Sequence, residues 1–295
     1  MLLSFMLIYR CFVTCKVIAE RAKLPVIPPY LHPRKRNYQN IYHGVNFASA
    51  GAGVLSDTFQ GLVIDLRTQL KYYKREVAQL KSQKGHSNSS TILSSAVYLF
   101  SIGTNDYISP FLLNSSLLAS YSHSKYVKMV IGNLTIVVKE IYKNGGRKFR
   151  FLNLGELGCL PGLRILRPET KGGCLEEASD LAKLHNKALH KLLSKMKQQL
   201  HGFKYFIYDF NTNLNQKITQ PLQYGLKEGK KACCGTGLFN GIFSCGGKRL
   251  IKEFKVCENP GEFVFWDSYH LTERVYKQMA DQMWSIGIKK LFQCF

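Results

Sequence analysis

The run Ala96-Val97-Tyr98-Leu99-Phe100-Ser101-Ile102 constrains this chain more than any other stretch. It is short, nearly continuously apolar and closed by Gly103, the pattern of a strand buried on both faces. Such a strand needs a covering layer on each side. Upstream, Leu62, Leu66, Leu70, Tyr73, Val77 and Leu80 recur every three or four residues, which predicts an amphipathic helix with Lys and Arg outward. A polar loop is expected over 82–91. The alternation continues along the chain. Residues 44–53 read as a strand running into a turn, 126–142 as a helix stopped by Asn144-Gly145-Gly146, and 149–154 as a strand. A helix over 175–200, a strand over 203–210, the strand Phe263-Val264-Phe265 and a helix over 272–284 follow. Strand–helix–strand alternation over the whole length predicts one parallel α/β sheet with helices on both faces.

Composition narrows the class. With 295 residues and 45% hydrophobic content, the chain has material for a large core and is not disordered as a whole. No run approaches the roughly 20 apolar residues of a membrane-spanning helix, and no period recurs. Met1 to Ile8 make a poor leader, since no basic segment precedes them and no small-residue cleavage site follows. The net charge of +22 speaks to partners and not to fold. Nine cysteines are many, and seven follow Gly158: Cys159, Cys174, Cys233, Cys234, Cys245, Cys257 and Cys294. Adjacent Cys233 and Cys234 suit one metal ion badly, so no metal site is expected, and disulfides in an oxidising compartment account for the set better. The sequons at Asn88, Asn114 and Asn133, candidate N-glycosylation sites, point the same way, to a secreted protein.

In a parallel sheet the ligand site lies beyond the carboxyl ends of the strands. Three such places carry suitable chemistry. Small residues from Gly44 to Gly53, Gly51 among them, expose backbone N–H groups able to hold an oxyanion. Gly103-Thr104-Asn105-Asp106 follows the central strand, and the Asn105 amide is a second donor for such a charge. Asp267-Ser268-Tyr269-His270 follows Phe265-Trp266, with a spacing that lets the carboxylate orient an imidazole base. Taken singly, each reads equally as a tight turn, a helix cap or a surface loop. Together, each after a strand, they form a constellation.

That ordered set resembles the plant GDSL esterase/lipases of the SGNH hydrolase superfamily. Asn46-Phe47-Ala48 with Gly51-Ala52-Gly53, Gly103-Thr104-Asn105-Asp106 and Asp267-Ser268-Tyr269-His270 match its blocks in order. Gly145-Gly146-Arg147-Lys148-Phe149, Leu157-Gly158-Cys159-Leu160-Pro161, Ala232-Cys233-Cys234-Gly235 and Phe265-Trp266-Asp267 also look familial. The resemblance runs from about Val17 to Phe292. It implies a three-layer α/β/α, flavodoxin-like fold over residues 17–295, with 1–16 outside it. The implied chemistry is hydrolysis of lipid or other acyl esters by Ser/His/Asp acyl transfer, without a cofactor. Gly51 and Asn105 would form the oxyanion hole, His270 would be the general base, and Asp267 would orient it. The resemblance also implies structural disulfides.

Two departures accompany it. The family's first block, Gly-Asp-Ser-x-Ser-Asp, which ends the first strand and holds the nucleophile, occurs nowhere in the sequence. Ser56 in Leu55-Ser56-Asp57-Thr58 only echoes it, on the wrong side of Gly51. Leu271 stands where the family has proline, which is expected to loosen the His270 loop. The sheet is therefore expected to lack its first strand, the domain to be incomplete at its N-terminus, and activity to be impaired or absent. A pocket-retaining binding or regulatory relative is the alternative. A basic binder of nucleic acid or anionic surfaces, suggested by His32-Pro33-Arg34-Lys35-Arg36 and by Lys71, Lys74 and Arg75, is a weaker one, as no nucleic-acid-binding signature occurs. The expected partner is an ester or lipid substrate, with no nucleic acid. The chain is expected to be monomeric, its basic surface suited to an anionic wall or membrane.

Overall fold

The computed structural model describes residues 2–6, 16–32, 43–113, 115–167 and 172–288. Its centre is a five-stranded sheet of β1 (Leu2–Met6), β2 (Gly44–Asn46), β3 (Val97–Ser101), β4 (Lys148–Leu152) and β5 (Lys204–Tyr208). The order is β2-β1-β3-β4-β5, and every pairing is parallel. Strand order reverses between β1 and β3, the place where sheets of this winding bind ligands.

The expectation of a missing first strand is corrected here. Leu2–Met6 fills the centre of the sheet, paired with β2 on one side and with β3 on the other, from Leu2↔Val97 to Met6↔Ser101. A central parallel strand asks only for a short run with few polar residues, and Leu-Leu-Ser-Phe-Met supplies one. Five residues are too few for periodicity to announce a strand. With β1 in place, β3 is paired on both sides, and the bare edge expected at this position does not arise.

Helices cover both faces of the sheet. They are α1 (Leu66–Ser95), α2 (Thr104–Leu112), α3 (His123–Lys143), α4 (Glu176–Gln199), α5 (Phe210–Thr219) and α6 (Glu273–Met283). The start of α1 is fixed by Asp65, whose carboxylate accepts the N–H groups of Arg67 and Thr68. The loop expected over 82–91 is helical instead, interrupted at Gly85, where φ is 73° and ψ 169°. On one face of the sheet, Tyr98 stacks on Phe149 and Phe100 on Phe151, with centroids 5.3 and 5.0 Å apart. These are cross-strand partners in register, and Tyr73 of α1 meets Tyr98 edge-on. On the other face, Tyr208 donates to Gln282 Oε1 of α6 (2.8 Å), and the Arg150 guanidinium lies over Phe206. Burial lowers the Arg150 pKa to about 10.

Beyond β5 the chain forms β6 (Glu228–Ala232), β7 (Cys234–Gly235), β8 (Lys255–Val256) and β9 (Phe263–Phe265). Phe263–Phe265 was expected to join the main sheet. It pairs with β6 instead, a strand that the basic sequence Glu-Gly-Lys-Lys-Ala does not announce. β7 pairs antiparallel with β8. Three disulfides, Cys159–Cys174, Cys233–Cys257 and Cys234–Cys245, join six of the cysteines after Gly158. Cys294 lies outside the described residues.

No helix among the described residues is long and apolar enough to cross a membrane. Asn88 is exposed, whereas the Asn133 side chain donates to Met129 O in the middle of α3. Asn114 and the basic residues 33–36 fall outside the described residues. Of the other cations that suggested a basic binder, Lys74 pairs with Glu140 at 2.6 Å and Arg75 lies over Tyr72.

Candidate active site

The Gly block follows β2. Ala52 N donates to Ser49 O (3.2 Å), and Gly51 takes φ of 78° in the turn so formed. A Cβ there would meet Val63 at 3.0 Å in a backbone conformation that L side chains disfavour, which accounts for glycine. Two residues on, a Cβ at Gly53 would lie 2.5 Å from Asp106 Oδ1 and 2.6 Å from Thr58. The chain passes too close to those groups for any side chain.

What it passes is the start of α2. Gly103, with φ of 113°, turns the chain out of β3, and Asn105 and Asp106 follow in the first helical turn. Asn105 Nδ2 donates to Ala52 O (2.9 Å), which ties one N–H of the amide to the Gly block. Asp106 goes further. Fully buried, its carboxylate accepts Val54 N (2.8 Å), Leu55 N (2.9 Å) and the Thr58 hydroxyl (2.8 Å). Burial outweighs these donors and pushes its pKa up to about 6. Its own carbonyl accepts the Tyr126 hydroxyl (2.7 Å). The sequence draws attention to Asn105 and leaves Asp106 as an ordinary helix cap, because its partners lie 48 to 52 residues earlier.

A second buried group stands behind this turn. His185 of α4 is 1% exposed, its Nδ1 lies 2.9 Å from the Tyr107 hydroxyl, and burial pushes its pKa down to about 3. Its ring edge would lie 3.2 Å from a Cβ at Gly103, so the imidazole packs against the turn that leads out of β3. Nothing in the sequence distinguishes it from the exposed residues of the same helix except its helical phase.

The Asp267–His270 loop follows β9. Trp266 N donates to His270 O (2.8 Å), and Phe265 bridges Leu271, so the loop closes on itself. Inside it, Asp267 Oδ1 accepts Tyr269 N (2.9 Å) and His270 N (2.8 Å). His270 Nδ1 lies 2.8 and 2.9 Å from the two carboxylate oxygens of Asp267. An ionised carboxylate only accepts, so Nδ1 carries the proton shared with Asp267, and in the neutral imidazole Nε2 is the accepting nitrogen. From outside, Gly162 N donates to Ser268 O (2.9 Å), and a Cβ at Gly162 would strike the Tyr269 ring at 2.4 Å. Burial and, less strongly, Asp267 push the Tyr269 phenol up to about 12, so it stays neutral.

Leu271 stands at the position expected to loosen the loop. It is wholly buried, and its N–H, a group proline lacks, lies 3.2 Å from the Tyr276 hydroxyl that accepts it. Ser56 is exposed and its hydroxyl donates to Asp57 (3.3 Å). The cysteines weighed as metal ligands are in disulfides.

Comparison with known proteins identifies the family. The GDSL-like Lipase/Acylhydrolase family matches residues 18–283. GDSL esterase/lipase 5 of Arabidopsis thaliana is 53% identical over 270 residues, which cover 92% of this chain and 69% of that protein. GDSL esterase/lipase 1 of the same plant is 46% identical over 269 residues, covering 91% and 72%. A GDSL lipase of Tanacetum cinerariifolium is 43% identical over 267 residues, covering 90% and 69%. The strand order, the glycines that close packing requires and these likenesses converge: the chain belongs to the GDSL-like Lipase/Acylhydrolase family, among the plant GDSL esterase/lipases, and its class is that of the carboxylic-ester hydrolases.

Proposed function

We propose that the site of this chain is built for the hydrolysis of lipid or other acyl esters by serine acyl transfer, with His270 as general base and Asp267 as its orienting carboxylate. The observation that carries this reading is the double contact of His270 Nδ1 with Asp267, which orients the ring and makes Nε2 the basic nitrogen of the neutral imidazole. The Gly51 N–H and the second N–H of the Asn105 amide serve as oxyanion donors. Each such donor is worth about 3 kcal/mol in the transition state. The nucleophile is the serine of the family's Gly-Asp-Ser block, which this sequence lacks. Its proton, passed to His270, would create an imidazolium that Asp267 stabilises and that then protonates the leaving alcohol. The oxyanion formed as serine attacks the ester carbonyl is met by Gly51 and Asn105.

No Gly-Asp-Ser run occurs in the 295 residues, and we infer that this chain by itself turns over esters poorly. Secretion, glycosylation at Asn88 and action as a monomer belong to the same proposal. Three disulfides and the exposure of Asn88 support its first two parts.

The test replaces residues 1–16 by the corresponding leading segment of GDSL esterase/lipase 5, including its Gly-Asp-Ser run. Hydrolysis of a p-nitrophenyl ester should appear in the chimera and fall by a factor on the order of 10⁴ or more in His270→Ala. Hydrolysis indifferent to His270 overturns the assignment. Turnover by the 295-residue chain that a serine reagent blocks overturns the inference of impairment and leaves the ester-hydrolase reading standing.

A further inference from the structure

The segment between Cys245 and Cys257, Gly-Gly-Lys-Arg-Leu-Ile-Lys-Glu-Phe-Lys-Val, is unlike the rest of the surface. Leu250 is fully exposed, and Ile251 and Phe254 are 45% and 40% exposed. Around them stand Lys248, Arg249, Lys252 and Lys255, all exposed or half-exposed, against a single acid, Glu253. Apolar side chains held in water within a ring of cations make the surface of a segment that sits at a lipid headgroup boundary.

Its position gives that composition meaning. Disulfides bind Cys245 to Cys234 and Cys257 to Cys233, so both ends of the segment are anchored to one dipeptide. Cys233 N donates to Phe265 O (2.9 Å) and Cys234 N to Trp266 O (2.7 Å), the two residues that lead into Asp267. The Arg249 guanidinium lies over the Phe243 ring (4.2 Å), and Phe243 packs edge-on against Tyr269 (5.3 Å), the neighbour of His270. Two aromatic rings, Phe243 and Tyr269, therefore link the loop to His270.

We propose that residues 246–256 are an interfacial docking loop. Leu250, Ile251 and Phe254 enter the headgroup region of a bilayer carrying anionic lipid, and the surrounding cations hold its charge. This would bring the candidate site to a membrane in which acyl esters reside, a consequence that rests on the ester-hydrolase reading, whereas the docking itself does not. A polyanionic wall polysaccharide would answer the cations alone. It would leave Leu250 in water, so the fully exposed leucine favours lipid.

The experiment is co-sedimentation of the full 295-residue chain with two kinds of vesicle. One is pure phosphatidylcholine, and the other contains a minority of phosphatidylglycerol. Binding to the anionic vesicles should be at least about tenfold tighter than to the neutral ones, because each cation near such a surface contributes about fivefold. Leu250→Asp should weaken it about tenfold or more, and Lys252→Glu about fivefold or more. Both sites are exposed, so circular dichroism and melting should be unchanged. Equal binding to both vesicles, or anionic binding indifferent to Leu250→Asp, overturns the proposal. So does binding to polygalacturonate alone, which would assign the cations to the wall. No turnover is measured, so failure here is distinct from failure of the ester-hydrolase reading.

Discussion

The turn that carries Gly51 and the loop that carries His270 are held in different ways. The first, up to Thr58, is gripped by Asp106, a carboxylate 48 to 52 residues away, inside the protein and shut off from solvent. The second is closed by hydrogen bonds accepted by Asp267 that span two and three residues, and is braced by the disulfide-linked Cys233 and Cys234, whose N–H groups bond to Phe265 and Trp266. One arm borrows its shape from the assembled sheet. The other carries its shape in its own few residues and in covalent cross-links. The two arms of the proposed site can thus fail for unrelated reasons.

The largest effect is expected at the gripped turn. Asp106→Ala leaves Val54 N, Leu55 N and the Thr58 hydroxyl inside the fold without an acceptor, and should destabilise the protein by about 3–5 kcal/mol in urea unfolding. The same truncation at Asp267 frees two amides of a partly buried loop and should cost about 1–2 kcal/mol. Equal losses would erase the distinction between the arms.

Covalent bracing of the second arm comes next. Removing Cys233–Cys257 as the double serine variant opens a loop of 24 residues and should cost about 3–4 kcal/mol. Melting with and without reductant measures it. If the bridge braces the His270 loop, amide exchange at Tyr269 and His270 should quicken while that at Val54 and Leu55 stays slow. Faster exchange at both sets would mean that the arms share one support.

The contrast also sharpens through pH. Burial raises the Asp106 pKa from the usual 3.8 to about 6, so between these values the folded protein holds a proton that the unfolded chain has released. Stability from this group is complete below about pH 4 and is lost as pH rises through 6, by about 2–3 kcal/mol. His185, lowered to about 3, has the opposite slope, since it is the unfolded chain that takes up its proton below about 6.5. Comparing wild type with Asp106→Asn at pH 4 and pH 6 cancels the histidine. A difference that does not change between these pH values would show that Asp106 is charged throughout.

How much of this was readable beforehand follows the same division. The Asp267–His270 dyad is legible because its members are three residues apart and the loop folds on itself. The helices and the central strand are legible because burial leaves a period of 3.6 or an unbroken apolar run. The role of Asp106 is not, since no pattern near it points to Val54 or Leu55. Nor is β1, whose five residues carry no period, nor β6, whose lysines disguise a strand paired with β9.

By itself, then, the sequence determined the family, the parallel α/β class and the pairing of Asp267 with His270. Each of these rests on local composition or on motifs in a fixed order. Only the tertiary structure decided that Leu2–Met6 completes the sheet, that Asp106 grips the Gly turn, and which cysteines pair. It also decided that a basic, apolar loop connects to His270 through two aromatic rings, Phe243 and Tyr269. Those are contacts between residues far apart in the chain, and a contact of that kind exists only once packing has chosen which surfaces meet.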